Sequence, residues 1–282
     1  MNIASFVVLG GDLVRSTEHI GIGYLAAYLR EHNHQVQIIE VEESKLYDES
    51  VYIPLLKNYG IAGFTTTCVT MKNIAVITQI IKKRYPTIRV VYGGHMATFS
   101  GRELMQSDPN IDYVIFGEGE YTLLDLVQTL EVNGDIGAVA GLGYRKNGQI
   151  VVNPGRPLIE NLDVLPFPAR DQFEQHNMKF QYLRISSSRG CLGNCGFCSA
   201  FAGRSQKGPR WRGRSVQNVV DEIEYLVRHY NFHTFDFVDS TFEDPGPQGK
   251  QRIREIAAEI LARNLTVFYN CCFRAENWSL AD

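Results

Sequence analysis

The chain opens with "NIASFVVLGG", where apolar residues occupy both parities, as in a strand buried on both faces. Ile20, Tyr24, Leu25, Tyr28 and Leu29 then recur at helical spacing and predict an amphipathic helix. The alternation repeats. "QVQIIEV" and "IAGFTTT" are the second and third strands, and Ile74, Ile77, Ile80 and Ile81 stripe another helix. "IRVVYGG" and "DYVIFGEGE" follow as the fourth and fifth strands, with His95 in a loop between them, and "YTLLDLVQTLE" closes the pattern as a helix. Residues 1–136 therefore predict an α/β fold, a doubly wound parallel sheet covered on both faces.

Residues 137–181 change texture. "GLGYRKNGQIVV" predicts a hairpin, with Asn147-Gly148 suited to the positive φ angles of a type I′ turn. Pro154, Pro157, Pro166 and Pro168 then mark a connecting segment, although "LDVLPFP" is too apolar to hang free in water. Alternation resumes over residues 182–282. "YLRISSS", "TFDFVDSTF" and "TVFYNCCFRA" are strands, separated by a helix that Ser215 caps and by one striped with Ile253, Ile256 and Ile260. Three strand–helix units cannot close a barrel without leaving edges, so this sheet is either open or the first part of a longer product.

Composition narrows the class. Of 282 residues, 44% are hydrophobic and 21% charged, as in a globular protein large enough for two domains. A net charge of −3 predicts no general attraction to nucleic acid or an anionic membrane. No apolar run approaches the ~18 residues that span a bilayer. The first basic residue is Arg15, so the start lacks the charged opening of a signal peptide. A cytoplasmic location is expected, where thiols stay reduced.

The cysteines are unevenly spread. Cys191, Cys195 and Cys198 form a C-x3-C-x2-C pattern in "SSSRGCLGNCGFCSAF", whereas Cys68, Cys271 and Cys272 lie apart. Under reducing conditions this pattern indicates metal binding rather than a disulfide framework. Structural zinc takes four protein ligands, and Cys271 or Cys272 is a fourth donor in principle, though both sit on a predicted strand. An iron–sulfur cube on three thiolates instead leaves one iron open for a substrate or cofactor.

Small residues gather at the carboxyl ends of four of the five predicted strands: Gly10-Gly11, Thr65-Thr66-Thr67, Gly93-Gly94-His95 and Gly117-Glu118-Gly119. Ligands of open doubly wound sheets sit at that edge, and small residues let a large one approach the backbone. "GIGYLA", Gly21 to Ala26, formally matches a dinucleotide fingerprint. The fingerprint needs its glycines directly after the first strand, so this stretch reads as the start of a packed helix.

The cysteine spacing, with Phe197 before the last thiol, resembles the signature of the radical S-adenosylmethionine (SAM) superfamily. "GGHMAT", "GEGE" and "LDVLPFPARD" upstream resemble the subgroup with an N-terminal cobalamin-binding domain. The resemblance implies a Rossmann-like cobalamin-binding domain followed by a partial TIM-like barrel. It implies that Cys191, Cys195 and Cys198 hold a 4Fe-4S cluster whose fourth iron chelates SAM. Reductive cleavage would give a 5′-deoxyadenosyl radical, and cobalamin would carry a methyl group to an unactivated carbon of a small-molecule or peptide substrate. Flavodoxin or ferredoxin would supply the electron.

On the same resemblance Phe197 lies near the adenine, and Asp239, Ser240 and Thr241 meet the amino group of SAM. Gly10, Gly11, Thr66, Thr67, Gly93, Gly94, His95, Gly117, Glu118 and Gly119 would face cobalamin. His19 lacks the surrounding residues of the D-x-H-x-x-G motif, so no histidine is expected below the cobalt. The basic stretch "RSQKGPRWRGR" reads as a solvated loop or as contacts to SAM and substrate through Arg212 and Arg214. The alternatives are a tRNA-methylthiolating relative, disfavoured by having only Cys68 before the cluster motif, and a non-catalytic iron–sulfur or cobalamin-binding protein.

Overall fold

Eleven elements build the first unit: β1 (Asn2–Leu9), α1 (Ile20–Glu31), β2 (Gln35–Glu42), β3 (Ile61–Thr65), α2 (Met71–Arg84), β4 (Arg89–Gly93), α3 (His95–Ser107), β5 (Tyr113–Ile115), α4 (Glu120–Glu131), β6 (Leu142–Lys146) and β7 (Gln149–Val152). They come from a computed structural model, which describes residues 1–9, 18–176, 179–199, 206–243 and 250–274. The expected cofactor residues Gly10 and Gly11 lie outside the described residues.

The seven strands run in the order β2-β1-β3-β4-β5-β6-β7, the first five parallel and the last two antiparallel. The chain leaves β1 on one side for β2 and returns on the other as β3, so the topological switch falls between β1 and β3. Alternate residues of β1 serve opposite layers. Ala4, Phe6 and Val8 pack with Ile74, Ile77 and Ile81 of α2, and Ile3 and Val7 pack with Ile22 and Leu29 of α1 and Leu126 of α4. Each such aliphatic side chain contributes about 1.5–3 kcal/mol on burial, which is why both faces must be covered.

Two expectations change. His95 is not a loop residue but the first residue of α3. That helix bends at Ser100 (φ −130°, ψ 24°), and its buried face, Ala97, Gly101 and Met105, carries a single large apolar side chain. The hairpin assigned to the connecting segment is the outer edge of the first sheet, pairing Tyr113 with Tyr144. Its turn has the expected form, with φ 51° at Asn147 and 80° at Gly148.

The connecting segment straps the two units together. Leu162 and Leu165 are buried against Tyr24 of α1, which accounts for the apolar "LDVLPFP". Gly21 and Gly23 of "GIGYLA" lie within α1. A Cβ at Gly23 would come within 2.8 Å of the Ala169 carbonyl, so this glycine serves close packing of the strap and not a phosphate turn.

A short helix, α5 (Asp171–Gln175), leads into the second unit: β8 (Leu183–Ile185), β9 (Ser188–Gly190), β10 (Trp211–Gly213), α6 (Val216–Tyr230), β11 (Thr234–Phe237), α7 (Gln251–Ala262) and β12 (Phe268–Asn270). Strands β12, β11 and β8 form a parallel sheet in that order. Its core joins Leu183, Ile185, Phe235 and Phe237 to Val219, Ile223 and Leu226 of α6 and Ile256 and Ile260 of α7. Ser215 caps α6 as expected, its Oγ accepting the Asn218 N–H at 3.2 Å. The pair β9–β10 is antiparallel and draws together the two ends of the segment that carries the cysteines.

Candidate cofactor site

A cavity of about 330 Å³ opens at the carboxyl ends of β3, β4 and β5 and is walled on its other side by Ser186, Arg189 and Val238 of the second unit. Gly93, Gly94, His95, Gly117, Glu118 and Gly119 all line it, as expected from the sequence. A Cβ at Gly93 would meet nothing within 4 Å, so a ligand has room against the backbone there. Gly94 has φ +89°, and a Cβ would sit 2.9 Å from Thr65 Oγ1, so the turn into α3 requires glycine.

Thr66 and Thr67 have other work. Thr66 is fully buried, donates from Oγ1 to the Gly93 carbonyl at 2.7 Å and accepts from the Ala97 N–H at 3.0 Å. It thereby fixes the Gly93-Gly94 turn from behind. Thr67 Oγ1 accepts from the Thr70 N–H at 3.2 Å, holding the entry to α2. Thr65, the residue before them, lines the cavity instead. The deeper wall, with Ile3, Ile22, Leu25, Phe64 and Leu123, is apolar. The sequence marks these residues only as core, because helix and strand periodicity does not distinguish a packed wall from a hollow one.

His19, just before α1, accepts no hydrogen bond at its buried Nδ1. Burial, with Arg184 and His95 nearby, lowers its pKa to about 4, so the imidazole is neutral at physiological pH. It is not among the cavity-lining residues.

The cysteine segment begins one residue after β9. The Gly193 N–H donates to Cys191 Sγ at 3.2 Å, and a Cβ at Gly193 would stand 3.2 Å from Cys191 Sγ and 4.0 Å from Cys195 Sγ. Two of the three sulfurs thus flank a glycine chosen for its lack of bulk. Cys195 is exposed, Cys191 and Cys198 partly so, and Phe197 is 95% exposed. Among the described residues no three His, Cys, Asp or Glu side chains close on a point as ligands of one metal ion. Thiolates that hold separate irons of a cube stand further apart than ligands of a single ion. A three-thiol donor set on an accessible loop fits such a cluster. Cys271 and Cys272 follow β12, and burial raises the Cys271 thiol pKa, so Cys271 adds no ready thiolate.

Asp239 departs from its expected role. Its carboxylate accepts from the backbone N–H and Oγ of both Ser187 and Ser188, with Ser188 Oγ at 2.8 Å and Ser187 Oγ at 3.1 Å. Burial pushes its pKa up while these four donors pull it down. Both oxygens are engaged in holding the "SSSRGC" strand end, so Asp239 positions the cysteine segment. Ser240 is exposed, and the buried Thr241 Oγ1 has no hydrogen-bond partner. Both follow the end of β11.

Arg212 and Arg214 are buried, not solvated. Arg214 Nη1 donates to Glu222 Oε2 at 2.5 Å and to the Ser186 carbonyl at 2.9 Å. Arg212 Nη1 donates to Glu118 Oε1 at 2.9 Å and to the Ile159 carbonyl at 2.8 Å. The Arg212 charge joins the two units through Glu118, and the Arg214 charge is taken up by Glu222 within the second.

Residues 7–127 match the B12 binding domain family. That stretch of the chain is similar to a B12 binding domain. Its extent covers β1 to α4, the sheet whose strand ends form the cavity. Over 264 residues the chain is 32% identical to an uncharacterized methyltransferase of Pyrococcus horikoshii, covering 92% of this chain and 56% of that protein. It is 27% identical to the anaerobic magnesium-protoporphyrin IX monomethyl ester cyclase of a Synechocystis species, covering 88% of this chain and 49% of the cyclase. The chain spans about half the length of these curated relatives. Its fold matches that of OxsB, a cobalamin-dependent SAM radical enzyme solved with aqua-cobalamin and SAM bound. The TM-score is 0.82 at 22% identity, over 99% of this chain and 40% of OxsB. Domain match and fold agree with the radical SAM resemblance of the cysteine motif. No helix among the described residues is long and apolar enough to cross a membrane.

Proposed function

We propose that this chain is the cofactor-binding part of a cobalamin-dependent radical SAM methyltransferase acting on an unactivated carbon of a small-molecule or peptide substrate. Residues 1–136 would carry the corrin platform, 137–181 the strap and 182–282 the first part of the barrel. One observation carries the reading: the strand end that leads into Cys191 forms a wall of the B12-domain cavity, through Ser186 and Arg189. The two cofactor platforms therefore share a boundary.

When bound, the groups would supply reductive cleavage of SAM at a 4Fe-4S cluster and carriage of a methyl group on cobalamin. The chain's own residues do the rest. Cys191, Cys195 and Cys198 would hold the cluster, and Phe197, Ser240 and Thr241 would meet SAM. Gly93, where an added Cβ would meet nothing within 4 Å, would leave room for the corrin against the backbone, and the apolar wall would exclude water. Among the described residues His95, at the start of α3, is the one histidine that lines the cavity. An acidic one-electron donor such as flavodoxin or ferredoxin would dock at the exposed cysteine segment, in a reducing cytoplasm.

The test is anaerobic reconstitution with iron and sulfide, then addition of hydroxocobalamin and SAM. Expected are cluster absorption that SAM perturbs, saturable cobalamin binding and release of 5′-deoxyadenosine under a low-potential reductant. Tight zinc at the three cysteines, or a cluster indifferent to SAM, overturns the reading.

A further inference from the structure

The two strands that close the neck of the cysteine segment each carry an arginine, and β9–β10 register places Arg189 directly opposite Arg212. Both reach into the first unit. Arg189 Nη2 donates to Glu120 Oε1 at 2.7 Å, and its Nη1 lies 3.4 Å from Glu118 Oε1. Arg212 Nη1 binds both Glu118 oxygens, at 2.9 and 3.0 Å. Glu118 Oε2 also accepts the Ile159 N–H at 2.8 Å, which ties the strap to the same point.

Two positive and two negative charges balance, with Arg189 and Glu118 partly exposed and their partners shielded from water. Glu120 and Arg212 side chains are each 5% exposed. Burial alone would raise the Glu120 pKa, but the Arg189 charge and hydrogen bond hold it below the ordinary carboxylate value. Glu120 is also the first residue of α4, where the helix dipole favours an anion. Low dielectric makes the four-charge arrangement stiff, since moving one member strands its partner.

Three of the four, Glu118, Glu120 and Arg189, line the cavity. Arg189 is two residues before Cys191. A ligand seated in the cavity thus touches the same side chains that set the neck of the cysteine segment. We propose that Arg189, Arg212, Glu118 and Glu120 act as a positioning link that couples occupancy of the corrin cavity to the geometry of the cysteine segment. The proposal rests on the reading of the cavity as the corrin site. Coupling between two sites is reciprocal, so a cluster in place tightens cobalamin binding by the factor by which cobalamin favours the cluster.

The experiment is an anaerobic absorbance titration of the full chain with hydroxocobalamin, in cluster-free and cluster-loaded forms. The two dissociation constants are expected to differ by roughly fivefold or more, with the loaded form tighter. In Arg212→Gln and in Glu120→Gln the ratio is expected to fall to about one. A role confined to holding the fold would weaken both forms alike and leave the ratio intact. Equal affinities in the two wild-type forms overturn the link without touching the corrin reading, and need no variant to fold. Absence of cobalamin binding in either form overturns the corrin reading and the link with it. A ratio that survives in both folded variants assigns the coupling to other residues and overturns this one.

Discussion

Arg170 Nη2 stands 2.6 Å from Glu222 Oε1, with the arginine side chain 3% exposed and the glutamate fully buried. Arg170 also pairs with Glu18, and Glu222 with Arg214, so two acids and two arginines from α1's approach, the strap, β10's exit and α6 meet in one dry place. Replacing Glu222 by Gln leaves Arg214 without its anion and Arg170 with Glu18 alone. Removing one member of such a buried set costs about 3–5 kcal/mol. A fall of this size is expected in the urea unfolding free energy of E222Q. A change below about 1 kcal/mol would mean that water reaches the cluster and screens it.

Stability should also depend on acid through His19. Its folded pKa, about 4, lies below the ordinary 6.5, so the unfolded chain binds the proton more readily between those values. The stabilising contribution is fully present above pH 6.5, declines as pH falls through this window and levels off below pH 4. Its ceiling is about 3 kcal/mol from the shift alone. H19Q should therefore lose stability less steeply than the parent between pH 6.5 and 4, as read by thermal melts at fixed ionic strength. Parallel curves for the two proteins would place the imidazole in contact with water. Glu18 and Asp239 have raised pKa values and act in the opposite sense, but they are common to both proteins.

Much of this architecture is written locally. The five parallel strands were legible because both-face burial leaves unbroken apolar runs such as "FVVL", and the hairpin turn because Asn147-Gly148 has few other uses. The cysteine segment was legible because three thiols in eight residues have few structural roles. The helix α3 was not, since its buried face is Ala97, Gly101 and Met105, and two small residues leave little of an apolar stripe to read. The charge pairs were not legible either. Arg212 sits in "RWRGR", which reads as a solvated patch, and its partner Glu118 is 94 residues away. Asp239 likewise looked like a ligand-facing strand end until its serine donors, some fifty positions upstream, were brought beside it.

The three thiols should be separable from the other cysteines. C195A is expected to lose most of its iron after reconstitution, with the visible cluster band reduced at least tenfold. C68A and C272A, both at exposed positions outside the loop, should retain iron at parental levels. Since Cys195 is exposed, its truncation should change folding stability by no more than about 0.5 kcal/mol. Equal iron loss in C272A would instead bring that thiol into the donor set and revive a four-ligand zinc-like centre.

Two adjacent glycines should fail in opposite ways, and this contrast locates the corrin cofactor. At Gly93 an added side chain enters open space within the cavity, so G93L should fold with a stability change under about 1 kcal/mol. It should nonetheless weaken hydroxocobalamin at least tenfold, or about 1.4 kcal/mol, by occupying the ligand's volume. At Gly94 the φ of +89° and the nearby Thr65 and Thr66 atoms make G94A a strained backbone, costing about 1–3 kcal/mol. Its effect should appear first in the thermal midpoint. A G93L protein that binds cobalamin as tightly as the parent would show that the corrin ring does not enter the cavity at the ends of β3, β4 and β5. The B12 binding domain would then use another face of its sheet.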